Sequence, residues 1–539
     1  MDKRGIIGIA LCILVLVAYQ EWITRYYGPQ TAPVTAPEQK QEAAPQAPTS
    51  ATPGAPVAPA ASAATSAAPA TNVAAKEITV ETDEYVAVFT NVGARLKSFK
   101  FKKYRREANE KSGPFEMVTV APGVPLPLGV RWQTGVPFED TNLVYNVQGG
   151  DLKLTGAAKG TLTFQAETPK GAAITKSFTF SGATYPIQMD VAVNVAEGNA
   201  PAPEIVLTDK KDHPVPNPDA PFEGVIALVD NKIKRQTAAE AVNGQEFSGD
   251  VSWAGFGHTY FFFALVPQNG AGHKVSIHPA DAALTVGVSS NKSSDRYTLY
   301  VGPKELDVLK AVGNQLERSI DFGYFGFVSI PFLYALHFFH RFTGSYGIDI
   351  ILLTVVIKLL MWPLTHKSFT SMKQMQKLGP QMEKLKEKFA NDKEKLNKEI
   401  MELYKRNGVN PLGGCLPMVL QFPVFIGLYN ALSTPIELRH APFMWVKDLS
   451  RPDWESLPFM LGGWQLGIPV LTLLMGASMF LQQWMTPSIG DPNQRKLMLL
   501  MPVMFTFMFV SFPAGLTVYW LINNLLSIAQ QYWINRSDR

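Results

Sequence analysis

The stretch Ile350-Ile351-Leu352-Leu353-Thr354-Val355-Val356-Ile357-Lys358-Leu359-Leu360-Met361-Trp362 decides the fold class of this chain. It lies within an apolar run, 348–364, that is close to the ~20 residues needed to cross the hydrocarbon core of a bilayer. One charged residue, Lys358, interrupts the quoted stretch, and a lysine at the centre of a membrane helix costs about 2.5–3.5 kcal/mol on insertion scales. The stretch therefore predicts a membrane span on which Lys358 faces protein or water rather than lipid.

Lys358 has a second interpretation, in which its long side chain snorkels to the cytoplasmic headgroups. Trp362, a residue type common at membrane interfaces, lies about 6 Å of helix rise further along. Thr354, four residues before Lys358, shares its helix face and extends the polar side of the span. An ion or proton relay is less favoured, because we expect no buried Asp or Glu in the spans to partner the lysine.

Further apolar runs follow at about 416–432, 467–485, 497–512 and 516–534, each near the length of a membrane span. These runs contain polar residues at positions that we expect to lie inside the membrane: Gln421, Asn430, Tyr519, Asn523 and Asn524. Together with Lys358 and Thr354 they predict a hydrated cavity that opens toward the cytoplasm.

The region 322–345 is apolar and aromatic, but it contains Pro331, His337, His340 and Arg341. Whether it crosses the membrane determines the orientation of every later span. The segment 366–410 is rich in Lys and Arg, whereas the loop 433–467 contains few of either, and such basic segments stay in the cytoplasm. We therefore expect 322–345 to lie flat at the interface as an amphipathic helix.

The N-terminal residues 1–28 contain Lys3 and Arg4, an apolar run from Ile6 to Ala18 and four aromatic residues. The pattern fits a signal peptide, but no small-x-small cleavage motif follows it directly, and the aromatic residues are typical of an interfacial belt. We expect an uncleaved transmembrane anchor, which gives six membrane-spanning helices with both ends of the chain in the cytoplasm.

Residues 29–76 are rich in Ala and Pro and have few large apolar side chains, so they predict a disordered linker. Residues 77–321 alternate apolar and polar residues in short runs such as 85–89 and 187–193, which predicts an all-β sandwich with a terminal helix at 304–320. Its histidines have the spacing of neither a metal site nor a catalytic triad. No catalytic site, metal or cofactor is expected.

The segment 366–410 predicts a cytoplasmic helical hairpin whose turn is at Asn391-Asp392, with Asp392 as the N-cap of the second helix. Apolar residues recur along both arms at helical spacing: Met382, Leu385, Phe389, Leu396 and Ile400. One interpretation is that the two apolar stripes simply pack against each other. The other is that the hairpin also forms a mobile basic platform that meets incoming chains or the ribosome.

Several motifs of the C-terminal half resemble the YidC family of membrane insertases. These motifs are Met361-Trp362-Pro363-Leu364-Thr365, Thr370-Ser371-Met372, Asn410-Pro411-Leu412-Gly413-Gly414-Cys415-Leu416-Pro417, Gln421-Phe422-Pro423 and Phe512-Pro513-Ala514-Gly515-Leu516. The resemblance runs in order through 346–534. It implies a five-helix insertase core at 346–535 and, as in the Gram-negative form, a periplasmic β-super-sandwich. The implied location is the bacterial inner membrane.

The resemblance also implies a polar groove that is open to the cytoplasm and to lipid. Lys358 occupies the position of the family's groove arginine, which preserves the charge but not the planar, bidentate fork. Thr354, Gln421 and Tyr519 match the groove or substrate-contacting region, to which Asn523 is added from its position. The tail 535–539 lacks the long basic extension that some relatives use at the ribosome.

The resulting functional hypothesis is an insertase and chaperone, not an enzyme. It would receive hydrophobic segments of nascent inner-membrane proteins and release them into lipid, alone or with components of the Sec translocon. The lipid bilayer is a further partner, and ribosomes or targeting factors are weaker ones; sequence-specific nucleic acid is not expected. Two alternatives are a secondary transporter and a membrane-tethered protein that binds or processes sugars.

Overall fold

The computed structural model describes residues 75–537, except 109–110, 134–135, 211–221, 238–239, 280–282, 390, 410–415, 462–463 and 486–491. The predicted anchor at 1–28 and nearly all of the predicted linker fall outside the described residues. The described part lies within one compact unit, Ala75–Arg539. It comprises a β module, residues 75–322, and a helical module, residues 323–537.

The β module consists of short strands in which buried and partly exposed residues alternate, as in Ala172–Ser181. Its strands are β1 Glu77–Glu81, β2 Tyr85–Thr90, β3 Arg95–Arg105, β4 Pro114–Glu116, β5 Gly129–Trp132, β6 Phe138–Glu139, β7 Asn146–Gln148, β8 Leu152–Lys153, β9 Lys159–Glu167, β10 Ala172–Ser181, β11 Ile187–Val195, β12 Glu204–Lys210, β13 Gly224–Val229, β14 Lys232–Gln236, β15 Gln245–Gly249, β16 Val251–Gly257, β17 Phe261–Pro267, β18 His273–Pro279, β19 Ala283–Ser289 and β20 Ser294–Pro303. A further hairpin, β21 Pro458–Leu461 and β22 Trp464–Gly467, belongs to the helical module.

These strands form three sheets around one hydrophobic core. The largest has the order β14-β13-β16-β17-β20-β11-β10-β9-β7, and it packs against a five-stranded sheet, β4-β3-β2-β1-β8, and a six-stranded sheet, β15-β18-β19-β12-β5-β6. Phe89 of β2 meets Phe178 of β10 with ring centroids 5.0 Å apart, which joins two of the sheets. The predicted β-sandwich is confirmed, and burial of its inward residues supplies the main stabilising term.

A buried charged network lies where the three sheets meet. The ammonium of Lys176, on β10, is 2.6 Å from a carboxylate oxygen of Asp140 and donates hydrogen bonds to the carbonyls of Gly93 and Leu128. Asp140 also accepts from Arg95 at 3.0 Å. Burial lowers the pKa of Lys176 to about 8, and the Asp140 carboxylate opposes that shift. Asp140 therefore neutralises two buried cations that belong to different sheets.

We predict that Asp140→Ala lowers the free energy of unfolding by about 3–5 kcal/mol, because it leaves buried cations without their counter-ion. Chemical unfolding of the full chain in detergent, followed by the circular dichroism of the sheets, measures the loss. Asp190→Ala is the matched control, since Asp190 pairs with Arg296 at the surface and such pairs contribute about 0–1 kcal/mol. An equal loss in both variants would contradict the role given to Asp140.

The described helices are mostly in the C-terminal half. They are α1 Leu306–Val312, α2 Gly326–Thr343, α3 Tyr346–Lys377, α4 Gly379–Lys388, α5 Lys393–Arg406, α6 Leu416–Ser433, α7 Val470–Met485, α8 Pro492–Phe509 and α9 Ala514–Ser537. The predicted single helix at 304–320 is wrong: α1 ends at Gly313, where φ is +86°, and a 3₁₀ turn follows at Leu316–Ser319. The apolar spacing survives the break, because Leu316 and Ile320 are buried as Leu306 and Leu309 are.

The helix α3 contains the stretch that decides the fold and continues well beyond it. Its 32 residues run through Pro363 and include both the predicted span 348–364 and the first part of the predicted hairpin segment. By length and composition, α3 is the one described helix that passes as a candidate membrane span, while α7 and the 498–509 part of α8 are apolar but shorter. The number of spans therefore stays a prediction.

Within the helical module, α9 packs between α3 and α7, while α8 packs on α7 and α2 packs on α3 and α6. Two glycines allow close approach of neighbouring helices. A Cβ on Gly476 of α7 would clash with the hydroxyl of Thr506 on α8, and one on Gly427 of α6 would lie 2.7 Å from Val328 on α2. Small residues at such crossings are typical of helix packing in membranes.

The two modules meet around the loop that follows α6. The guanidinium of Arg439 lies over the rings of Phe115, Tyr260 and Phe261, with centroid distances of 5.3, 5.7 and 5.7 Å. It also donates to the carbonyl of Arg106 at 3.1 Å. Such cation–π contacts are strengthened by desolvation, so Arg439 ties the helical module to the β module.

An ionisable cluster accompanies this junction. His337 of α2 lies 3.0 Å from Glu437 through Nε2 and 3.8 Å from Asp307 of α1 through Nδ1. The hydrogen bond to Glu437, together with the nearby negative charges, raises the pKa of His337. A raised folded-state pKa means that the protonated ring stabilises the junction fully below about pH 6.5, and that this contribution disappears as pH rises through the folded-state value.

We predict that His337→Gln lowers the melting temperature of the full chain in detergent more at pH 6 than at pH 8.5. The reason is that glutamine cannot carry the charge that holds Glu437 and Asp307 at low pH. His278→Gln, at an exposed histidine of β18, is the control, since it removes an imidazole that makes no contact with Glu437 or Asp307. A His337→Gln difference that stays constant or grows with pH would contradict the assignment.

Candidate functional site

The polar side chains of α9 organise the candidate site. Asn523, Ser527 and Gln530 recur at spacings of four and three, which places them on one helix face. Asn524 and Gln531 are seven residues apart and occupy an adjacent face. This helix begins directly after Pro513, and it contains no proline and no glycine after Gly515. One helix therefore presents polar groups toward two different neighbours.

The first neighbour is α3, and the central contact is made by Lys358. Its side chain is only 8% exposed, and its ammonium donates to the hydroxyl oxygen of Ser527 at 2.6 Å. The Ser527 hydroxyl in turn donates to the carbonyl of Asn523 at 2.7 Å. Among the ion pairs of the described residues, none includes Lys358. The structure thus holds a buried cation against a neutral oxygen.

One turn of α3 before Lys358, Thr354 is buried and donates to the carbonyl of Ile350 at 2.6 Å. Its hydroxyl proton is therefore satisfied within its own helix. Gln421 of α6 is half-buried and donates to the hydroxyl of Tyr519, which is 1% exposed. Tyr519 lies four residues before Asn523, about 6 Å of helix rise away. The structure therefore places the five predicted groove residues in two neighbouring groups. Lys358 lies beside the turn of α9 that contains Asn523, with Thr354 on the same face of α3, and Gln421 binds Tyr519.

Sequence reasoning missed Ser527, Gln530 and Thr365. The hydroxyl of Thr365 and the side-chain amide of Gln530 exchange hydrogen bonds of 3.0–3.1 Å. Thr365 lies seven residues after Lys358 on α3, and Gln530 lies three residues after Ser527 on α9. From the Lys358–Ser527 pair to the Thr365–Gln530 pair, the residue number rises in both helices, so α3 and α9 are parallel. The helical spacing of Asn523, Ser527 and Gln530 is the sequence pattern that could have indicated a polar face on α9.

The second neighbour of α9 is α7. Asn524 donates to the hydroxyl of Ser478 at 3.0 Å, and Gln531 donates to the carbonyl of Met485 at 3.1 Å. These bonds lie on a different face from Lys358 and hold the helices together. The predicted residue Asn430 also makes a structural contact, because its amide donates to the carbonyl of Phe322 at 2.8 Å.

The predicted span 348–364 contains one buried acid among its described residues, but that acid does not partner Lys358. Asp349, at the start of α3, is 0% exposed and accepts hydrogen bonds from His340 at 2.8 Å and from Thr343. It precedes Lys358 by nine residues, roughly 13 Å of helix rise, so it does not neutralise the lysine. Both partners belong to the last turn of α2, so these hydrogen bonds join the end of α2 to the start of α3.

The predicted hairpin is formed by α4 and α5. Asp392 accepts a hydrogen bond from the backbone N–H of Lys395 at 3.0 Å, which confirms it as the N-cap of α5. Met382 is buried and accepts from the hydroxyl of Tyr404, and Ile400 packs in the same cluster. The two arms therefore do pack on each other at the end of the hairpin away from its turn.

Near the turn the hairpin is more open. Leu385, Phe389 and Leu396 are half-buried, and the ammonium groups of Lys388 and Lys395 lie 5.4 and 5.5 Å from the Phe389 ring centroid. The basic side chains along the outside are exposed: Lys377, Lys384, Lys386, Lys388, Lys395, Lys398, Lys405 and Arg406. The hairpin thus combines one packed end with a basic, partly apolar tip.

Two family models match the chain. The YidC periplasmic domain matches residues 77–335, and the 60Kd inner membrane protein matches residues 338–539. The membrane protein insertase YidC of Citrifermentans bemidjiense is 42% identical and covers 100% of this chain and 99% of its own. That of Syntrophus aciditrophicus is 39% identical and covers 99% and 100%. This chain belongs to the YidC membrane protein insertase family.

The two YidC family matches meet within α2, so the β module corresponds to the family's periplasmic domain and the helical module to its inner-membrane part. Every groove and hairpin residue described above lies in the second match. A crystal structure of an active YidC insertase, with its first transmembrane domain resolved, is similar with a TM-score of 0.38 at 18% identity, covering 85% of this chain and 92% of that chain.

Proposed function

We propose that this chain inserts hydrophobic segments of nascent proteins into the bacterial inner membrane, and that a cleft opens between α3 and α9, where their polar flanks are received. The observation that carries the proposal is Lys358, a buried cation whose contact within the described part of the chain is a serine hydroxyl. A buried charge without a counter-ion attracts an opposite charge strongly, because the surroundings screen it weakly.

The mechanism follows from the donors of this site. An ammonium has three N–H donors, and Ser527 accepts from one, which leaves two for a carboxylate on the incoming segment. Gln421, Tyr519 and Asn523 provide further polar partners, so the flank of the client need not face hydrocarbon unsatisfied. The apolar segment then leaves sideways into lipid. Because a single ammonium binds a carboxylate without a bidentate fork, the client is held transiently and released.

The proposed topology has six membrane-spanning helices: the anchor in 1–28, α3, α6, α7, α8 and α9. Helix α2, within 322–345, lies at the periplasmic interface, supported by its exposed Phe327, Phe338 and Phe342. The parallel course of α3 and α9 puts the C-terminal ends of both helices on the same side, which is the cytoplasmic side if the basic hairpin obeys the positive-inside rule. Both chain ends are then cytoplasmic.

The hairpin is proposed as the first contact for incoming chains. Its exposed lysines attract anionic headgroups, and its partly apolar tip at Phe389 offers a surface to a hydrophobic segment. Components of the Sec translocon, and more weakly the ribosome or targeting factors, are the proposed protein partners. Proteins of the YidC family act on membrane proteins, and we propose no covalent chemistry and no cofactor for this one.

The central prediction concerns a small client with an acidic flank, inserted into proteoliposomes that contain only this chain. We expect Lys358→Arg to insert it at a rate close to the native protein, because the positive charge remains. Lys358→Ala should be slower by about tenfold, and Lys358→Glu slower still, because its carboxylate repels the flank. The measurement is the protease-protected fraction of client against time.

Lys232→Ala is the control, since it removes an exposed lysine from β14 in the β module and should leave insertion unchanged. Equal rates for native, Arg and Ala forms would remove the electrostatic step while leaving insertion itself intact. No insertion by the native protein would show that it works only beside a translocon, or that it is a transporter, for which solute uptake into the same vesicles is the test.

Removal of the strands separates insertion from a sugar-related activity. We predict that a chain lacking residues 77–301 retains most of its insertion rate, because Lys358 and its α9 partners all lie in the helical module. Sugar binding, if it exists, would be lost completely. Since this deletion exposes Arg439 by removing its three aromatic partners, the deleted form should also be made with Arg439→Gln. Loss of insertion in both deleted forms would contradict the prediction.

A further inference from the structure

The lysine of the groove is held by one residue of another helix. Ser527 is 4% exposed, and its hydroxyl proton is committed to the carbonyl of Asn523 on its own helix at 2.7 Å. Its oxygen lone pairs are therefore the part of the group that faces α3, and the ammonium of Lys358 occupies them at 2.6 Å. The serine can only accept from Lys358, because its single proton is already used.

The contact with Ser527 determines where the ammonium of Lys358 lies. A lysine side chain has a flexible four-carbon stem and a compact, strongly hydrated ammonium. Without a fixed acceptor it therefore extends toward water or headgroups. The polar face of α9 supplies that acceptor inside the helix packing, 169 residues away in sequence. An arginine would need less help, since its planar fork is already rigid.

We infer that Ser527 is a positioning residue, which holds the ammonium of Lys358 in the cleft between α3 and α9 and thereby sets the preference for clients with acidic flanks. The inference rests on the proposed function of the cleft. Because serine is neutral, it orients the charge without cancelling it, and two N–H donors of the ammonium are left for an entering carboxylate.

The test compares two clients that differ only in an acidic or an amide flank, inserted by native and variant chains in proteoliposomes. Ser527→Ala should lower the insertion rate of the acidic client about fivefold to tenfold and leave the amide client unchanged. Ser527→Thr keeps the hydroxyl and should restore the native rate. Ser527→Asp places a carboxylate on the ammonium and should abolish the preference for the acidic client.

Ser478→Ala is the matched control. Ser478 is a buried serine that binds Asn524 on the α7 face of α9, so its loss weakens helix packing without touching Lys358. It should slow both clients equally, if it slows either. A Ser527→Ala variant that also slows both clients equally would assign Ser527 to packing and overturn the inference.

An exchange of Lys358 and Ser527 gives a second measurement, in which the expected result is a recovered client preference rather than a lost one. The double variant Lys358→Ser with Ser527→Lys moves the ammonium to α9 across the same contact. It should recover the acidic-client preference that Lys358→Ala loses. Failure of the exchange, together with a normal Ser527→Ala, would overturn the positioning role alone. Equal insertion of both clients by native and Lys358→Ala chains would instead overturn the proposed electrostatic function.

Discussion

Buried polar side chains must find their partners within the protein, and in the helical module the polar side chains of α9 provide them. Its polar residues bind α3 through Ser527 and Gln530, α7 through Asn524, and α6 through Tyr519. Removing water leaves these bonds without competition, so each one fixes a pair of helices. The arrangement that stabilises the helical module thus also sets Lys358 against a hydroxyl, with no ion pair among the described residues.

The β module depends on a different principle. Its sheets bury a large aromatic and aliphatic core, and the charged network inside it, Lys176 with Asp140 and Arg95, is neutralised by direct ion pairs. In the helical module Lys358 has a hydroxyl in place of a carboxylate. These two buried lysines therefore differ: the counter-ion of Lys176 is part of the fold, whereas Lys358 has no ion pair among the described residues.

The sequence predicted the β-sandwich and the N-cap at Asp392 because both follow from local patterns, alternation in strands and a capping side chain before a helix. It did not predict the break after α1, since apolar residues keep the same spacing across the turn at Gly313. It placed Lys358, Gln421 and Tyr519 in one polar region, and the last two do bind each other, but it did not identify Ser527 as the partner of Lys358. Ser527 is an ordinary residue in sequence, and only the parallel packing of α3 and α9 brings it 2.6 Å from an ammonium.

A hydroxyl is better suited than a carboxylate to a site that must release what it binds. A carboxylate on α9 would form a buried ion pair with Lys358, and a client acid would then have to displace it at a cost of several kcal/mol. A backbone carbonyl is fixed in helix geometry and is already used. The serine accepts one hydrogen bond, its own proton bonds the Asn523 carbonyl, and the net charge of the cleft stays positive. Weak, non-neutralising support of a single lysine is therefore what the proposed insertion step requires, because Lys358 can then attract an acidic flank and release it.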